Sequence, residues 1–231
     1  MINIEKFQSE IQKNMQAMVN EHTKIVRENR ELEDKVKQLE NQPLAINVVK
    51  IDKEAVVIFA ADVSGSMDSW ERMAGKEYAE ELLSVLSERY KSVSTRHIHH
   101  HTEAKLVNKG DFLAKNESGG TIVSSAYRLI NKELEDFDYD NENLDVFVVH
   151  ISDGDNLTSD NLRVSKVIEK VFKKVTKVIY VEVSPFTKNS ALLNGRNGLK
   201  SIENDKFSYG IIKNIDEVGT LVRGFATLHL N

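Results

Sequence analysis

Ala55-Val56-Val57-Ile58-Phe59-Ala60-Ala61-Asp62-Val63-Ser64-Gly65-Ser66 is the stretch that decides the fold of this chain. Its first seven residues are apolar without alternation, which describes a strand buried on both faces, as at the centre of a parallel sheet. The run stops at Asp62, and small, hydroxylated residues follow. Asp62 therefore stands at the carboxyl end of a central strand, where the chain opens into a loop.

Further along, Leu144 to Ile151 (LDVFVVHI) repeats the pattern and ends at Ser152 and Asp153. Between the two runs, Asp68 to Tyr90 has helical periodicity, with Met73, Tyr78, Leu82, Leu83 and Leu86 on the expected inner side. Ser94 to His101 and Ala104 to Val107 read as short strands joined by a tight turn. Thr121 to Leu134 reads as a helix that buries Ile122, Ala126, Leu129 and Ile130. Leu162 to Val175 is helical, Val178 to Val183 and Phe207 to Lys213 are strands, and Asp216 to Leu228 is a closing helix. Strands alternating with helices predict an α/β fold with a mostly parallel sheet covered on both faces. The segment Asn189 to Lys200 contains Asn194-Gly195 and Asn197-Gly198, and is expected to be an exposed connection using positive φ.

In such folds ligands bind beyond the carboxyl ends of the strands. That rule selects Asp62, Ser64 and Ser66 from the first loop, Asp153 from the loop after LDVFVVHI, and Thr121 from the Gly119-Gly120-Thr121 turn. Two carboxylates and three hydroxyls form an all-oxygen set, suited to a hard divalent ion: Mg²⁺ first, with Mn²⁺ or Ca²⁺ as alternatives, and zinc well behind. A plainer reading makes Asp62, Ser64 and Ser66 a turn that caps the following helix.

The 231 residues include no cysteine, so there are no thiols to supply cross-links, ligands or a nucleophile. Net charge is −5, against the basic face that nucleic-acid binding needs, and no uncharged run approaches the roughly 18 residues of a membrane span. The charged start MINIEKFQSE has no apolar core of a signal peptide, so a cytoplasmic protein is expected.

Residues 1 to 50 contain no glycine and balance 8 basic against 8 acidic side chains, which places the acidic excess in the remainder. Ile4, Ile11, Met18, Ile25, Leu32 and Leu39 recur every seven residues. As d positions they put Gln8, Met15, His22, Asn29 and Val36 at a, a mixed seam in which Asn29 could fix register. A helix over residues 4–42 would be a rod of roughly 60 Å, stopped by Pro43. The expectation is a coiled coil over residues 1–43 that oligomerises a domain of residues 44–231; a helix lying on its own domain is the alternative.

The pattern D-x-S-x-S, a distant threonine and a distant aspartate resembles the metal-ion-dependent adhesion site of von Willebrand factor A (VWA) domains, a Rossmann-like fold. The resemblance implies that Ser64 and Ser66 bind the ion directly, Thr121 directly or through water, and Asp62 and Asp153 mostly through water. One coordination position then remains for an acidic side chain of a protein partner. His100-His101-Thr102-Glu103-Ala104, Glu117-Ser118-Gly119-Gly120-Thr121-Ile122-Val123-Ser124-Ser125-Ala126 and Ser152-Asp153-Gly154-Asp155-Asn156 are similar to the bacterial VWA proteins YhbH and YeaH, which are associated with sporulation and stress. This resemblance runs from about Val56 to Ser184. It implies an AAA-type ATPase or a serine kinase as partner. His100, His101 and Glu103 read first as a polar strand end hydrogen-bonded near the turn; the alternatives are a secondary polar site, with Asp155, or a contact with the partner. Relatives of that kind carry a longer, glycine-rich basic amino-terminal region where this chain has its heptads.

Two other classes compete. A magnesium-dependent phosphohydrolase of the haloacid dehalogenase type needs a general acid two positions after its first aspartate, where this chain has Ser64. No G-x-S-x-G elbow and no Walker A lysine is present. A non-enzymatic binding module is therefore expected; a passive structural assembly protein is the third reading. His97, His99 and His101 fall on one strand face about 7 Å apart at alternate residues, too far for three of them to bind one zinc without distortion. His150, inside an apolar strand, reads as a core histidine.

Overall fold

The computed structural model describes residues 15–18, 20–32, 50–115, 117–185 and 190–229. The chain divides into two units, Met1–Asn47 and Val48–Asn231. In the first, residues 15–18 and 20–32 are helical. Met18, Ile25 and Leu32 of the heptad series are exposed there, and Lys24–Glu28 and Arg27–Glu31 pair one turn apart at 3.7 and 3.1 Å. The remainder of the predicted rod lies outside the described residues.

The second unit is built on β1 (Ile51–Asp62), β2 (Tyr90–His100), β3 (Ala104–Val107), β4 (Leu144–Ser152), β5 (Lys177–Val183) and β6 (Phe207–Ile212). They form one sheet in the order β3-β2-β1-β4-β5-β6. All pairings are parallel except β2 with β3. This is the predicted α/β architecture. β2 lies on one side of β1 and β4 on the other, so the strand order reverses at β1, and the carboxyl ends of β1 and β4 are the switch point at which folds of this kind form a ligand crevice.

The alternation of side chains along β1 divides the core in two. Val57, Phe59 and Ala61 join Phe147, Val149 and Ile151 of β4 under α1 (Ser69–Arg89) and the last helix. Val56, Ile58 and Ala60 join Val146 and Val148 under α2 (Val123–Glu133) and α3 (Asn161–Phe172). The short α4 (Ala191–Asn194) follows β5, and α5 (Val218–His229) ends the fold.

Two expectations require correction. Met73 is half exposed, and the inner stripe of α1 runs instead through Ala74, Gly75, Tyr78, Ala79, Leu82 and Leu86. Small residues lead the helix because it crosses close to the sheet: a Cβ on Gly75 would stand 2.7 Å from Ile151 Cγ2. The described part of 189–200 is not an exposed connection, because Leu192, Leu193 and Leu199 enter the second core. Only Asn197 takes a positive φ, of 56°. Gly195 and Gly198 are needed for space, since a Cβ would approach the carbonyls of Ala191 and Leu193 to 2.2 and 2.6 Å.

Candidate functional site

At the end of β1 the buried Asp62 carboxylate accepts the Ser64 N–H at 2.8 Å on Oδ1, which folds the chain back on itself. Its other oxygen, Oδ2, accepts the Ser152 hydroxyl at 3.0 Å from the end of β4. The Ser64 and Ser66 hydroxyls lie 3.1 Å apart. These residues do not cap the following helix. Asp68 does so, accepting the N–H groups of Trp70 and Glu71 at 2.8 and 3.0 Å while its own N–H donates to Glu71. The capping half of the plain reading of Asp62, Ser64 and Ser66 is thereby removed, while the turn half holds, since Asp62 accepts the Ser64 N–H and the Ser64 carbonyl accepts the Met67 N–H.

Asp153 is also buried. Its Oδ1 accepts the Asp155 N–H at 3.0 Å, and its Oδ2 has no hydrogen-bond partner. Between them Gly154 takes φ of +88°, and a Cβ there would meet Ser190 Oγ at 2.5 Å and Glu182 Oε2 at 2.7 Å. Only glycine fits both the conformation and the space. Burial pushes the Asp62 carboxyl up to about 7; hydrogen bonds from Ser64 and Ser152 oppose the rise, and the charge of Asp153 adds to it.

Thr121, almost fully buried, is held from the β2–β3 turn. The His101 carbonyl accepts the Ile122 N–H at 2.8 Å, while the neighbouring His100 carbonyl accepts the Val63 N–H at 2.9 Å. Glu117 N–H donates to the Val63 carbonyl at 2.6 Å. One turn thus ties the Asp62 loop to the Thr121 loop through backbone groups.

The secondary set of His100, His101, Glu103 and Asp155 is not one pocket. His100 points into the core, its Nε2 2.9 Å from His150 Nε2, and His150 Nδ1 lies 3.2 Å from the Tyr127 hydroxyl. His101 approaches Glu117, Nε2 to Oε2 3.5 Å, and Lys105 pairs with the same carboxylate at 2.6 Å. Glu103 contributes its carbonyl to the His101 N–H, and Asp155 is exposed on the β4–α3 loop. His97 and His99 pack on Phe112, with ring centroids 5.0 and 6.0 Å away, and His99 Nε2 accepts the Leu113 N–H. Among the described residues no three His, Asp or Glu side chains gather as a metal-ligating group. Any ion at the crevice would depend on two carboxylates supplemented by hydroxyls.

Two residues escaped the sequence reading. Ser152 bridges the ends of β1 and β4 through Asp62. Glu182, buried at the end of β5, accepts the Tyr180 hydroxyl at 3.1 Å; burial raises its pKa, with the charges of Asp153 and Asp155 adding to the rise. A glutamate interrupting the otherwise apolar stretch 178–183 one residue before its end was the available signal.

A family model described as "Protein of unknown function (DUF444)" matches residues 3–228. A UPF0229 protein of Bacillus velezensis is 39% identical over 179 residues, which is 78% of this chain and 44% of that protein. A UPF0229 protein of Bacillus cereus is 39% identical over 178 residues, 77% of this chain and again 44% of the relative. The chain thus spans less than half the length of these relatives. Among solved structures, the PilB minor pilin from Streptococcus sanguinis superposes with a TM-score of 0.55 at 12% identity, covering 78% of this chain and 62% of the pilin. That likeness is one of fold.

Proposed function

This chain belongs to the DUF444 family, the UPF0229 proteins of bacteria, and we propose that its described α/β unit is a VWA-type, metal-dependent protein-binding module. In this reading Asp62, Ser64, Ser66, Thr121 and Asp153 hold a Mg²⁺ ion at the crevice, and the ion receives an acidic side chain of a protein partner. The amino-terminal heptads gather two or more such sites and raise avidity. The site binds and catalyses no reaction; Ser64 stands where a phosphohydrolase would need its proton donor.

The observation that carries the reading is the buried Asp153 Oδ2 without a hydrogen-bond partner, together with an Asp62 carboxyl pushed up to about 7 by burial, with the charge of Asp153 adding to the rise. A buried carboxylate without a partner is costly, and a second carboxylate beside it raises the cost. Among the described residues neither forms an ion pair with lysine, arginine or histidine. A hard cation would relieve both charges, and the adjacent hydroxyls of Ser64 and Ser66 are ligands of the matching kind.

Thermal unfolding of the full chain with Mg²⁺ or Mn²⁺ against chelator tests it. At about a hundred times Kd the ion should add about 2.7 kcal/mol of stability, and Asp62→Ala should abolish the gain. An equal gain in Asp62→Ala sinks the assignment. Ser66→Ala and chelator should each release a captured partner; indifference to both favours the passive structural reading.

A further inference from the structure

α2, which follows directly on Thr121, begins without a cap of its own. Ile122 occupies the cap position and has no side-chain acceptor. The N–H groups left over at its start are taken up from another loop. Val123 N–H donates to Asn156 Oδ1 at 3.2 Å, and Ser124 N–H donates to Asp160 Oδ2 at 2.8 Å. The Ser124 hydroxyl donates to Asp160 Oδ1 at 2.6 Å and accepts from Arg128 Nη1 at 2.9 Å. Asp160 is 1% exposed, so its charge lies in a protected position against the positive end of the helix.

The same loop carries Asp153, and it is braced from behind. Asn156 Nδ2 donates to Asn161 Oδ1 at 2.8 Å, and Asn161 Nδ2 donates to the carbonyls of Ala191 and Arg196 at 2.8 and 3.3 Å. Thr121 is two residues from the Val123 N–H, and Asp153 is three residues from Asn156. The spacing between the Thr121 hydroxyl and the Asp153 carboxylate is therefore set across a short hydrogen-bonded bridge between loops.

We propose that Asn156 and Asp160 are positioning residues of the crevice: they cap α2 from the Asp153 loop and thereby place Thr121 for cation binding. The inference rests on the metal reading above. Neither residue contacts the ion; both act through the start of α2. Outer groups that orient ligands commonly change metal affinity by about 10–100-fold when removed.

The experiment is Mn²⁺ titration of the full chain by calorimetry and electron paramagnetic resonance, paired with thermal unfolding in chelator. Asn156→Ala and Asp160→Ala should weaken Mn²⁺ binding about 10–100-fold. Asp160→Asn keeps an acceptor for the Ser124 N–H and should bind close to wild type. Asn156 is only half-buried, so its variant keeps the test open even where Asp160→Ala fails to fold. Wild-type affinity in Asn156→Ala, or an Asp160→Asn as weak as Asp160→Ala, overturns the inference alone. A wild-type chain that takes up no Mn²⁺ removes the metal reading and this inference with it.

Discussion

His100 and His150 show how one residue type can read as chemistry and behave as core. Their Nε2 atoms are 2.9 Å apart, so one ring donates and the other accepts, and the accepting ring cannot take a proton on that nitrogen without breaking the pair. Burial pushes His150 down to about 3 and holds His100 well below the ordinary histidine range. The unfolded chain binds these protons near pH 6.5. Between that pH and about 3 it binds more protons than the folded chain, so the stability due to this pair is complete above 6.5 and declines as pH falls. His150 should contribute a slope of up to about 1.4 kcal/mol per pH unit in that window, and His100 acts in the same direction. Urea unfolding at a series of pH values checks this: His150→Gln, which can hydrogen-bond but not protonate, should flatten the slope. An unchanged slope would mean that other groups set the acid sensitivity. At the same scale, the placement of His150 in the core was legible from its apolar neighbours. The partner of Asp62 was not, because Ser152 is 90 residues away and only the β1–β4 pairing brings it near.

At the scale of elements, the two helices that flank the crevice start in opposite ways. α1 has a local capping box in Asp68 and Glu71, a pattern contained in four consecutive residues. α2 has no local cap and depends on a distant loop. Asp68→Ala should cost about 1 kcal/mol of stability in urea unfolding, while Mn²⁺ affinity stays at the wild-type value, because the cap and the crevice are separate structures. A parallel loss of metal affinity would mean that α1 and the Asp62 loop are one unit. The extents of β3 to β6 could be read from the sequence to within a residue, whereas β1 and β2 each begin four residues before the expected Ala55 and Ser94, because their first residues are largely polar and form no apolar run. The inner face of α1 could not be read, because the close approach of helix to sheet selects Ala74 and Gly75 over the larger Met73.

For the whole molecule, the prediction concerns assembly. If the heptads from Ile4 to Leu39 associate, light scattering of the full chain should give a concentration-dependent oligomer, and removal of residues 1–43 should give a monomer. A full chain that stays monomeric ends the coiled-coil reading. By itself the sequence determined the alternation of strands and helices, the absence of cysteine chemistry, and the candidate oxygen-bearing residues that follow two apolar runs or open a helix at the Gly119-Gly120-Thr121 turn. Those are properties of local pattern: apolar runs, helical spacing, and residues where a run stops. Only the tertiary structure decided which strands lie side by side, and so which carboxylates share a buried space. It also decided that α2 is capped across space by Asn156 and Asp160, and that Asp153 has one oxygen without a partner. The physical reason is common to all three. Hydrogen-bond satisfaction and desolvation depend on what comes near in space, and a parallel sheet brings together loops that are tens of residues apart in the chain.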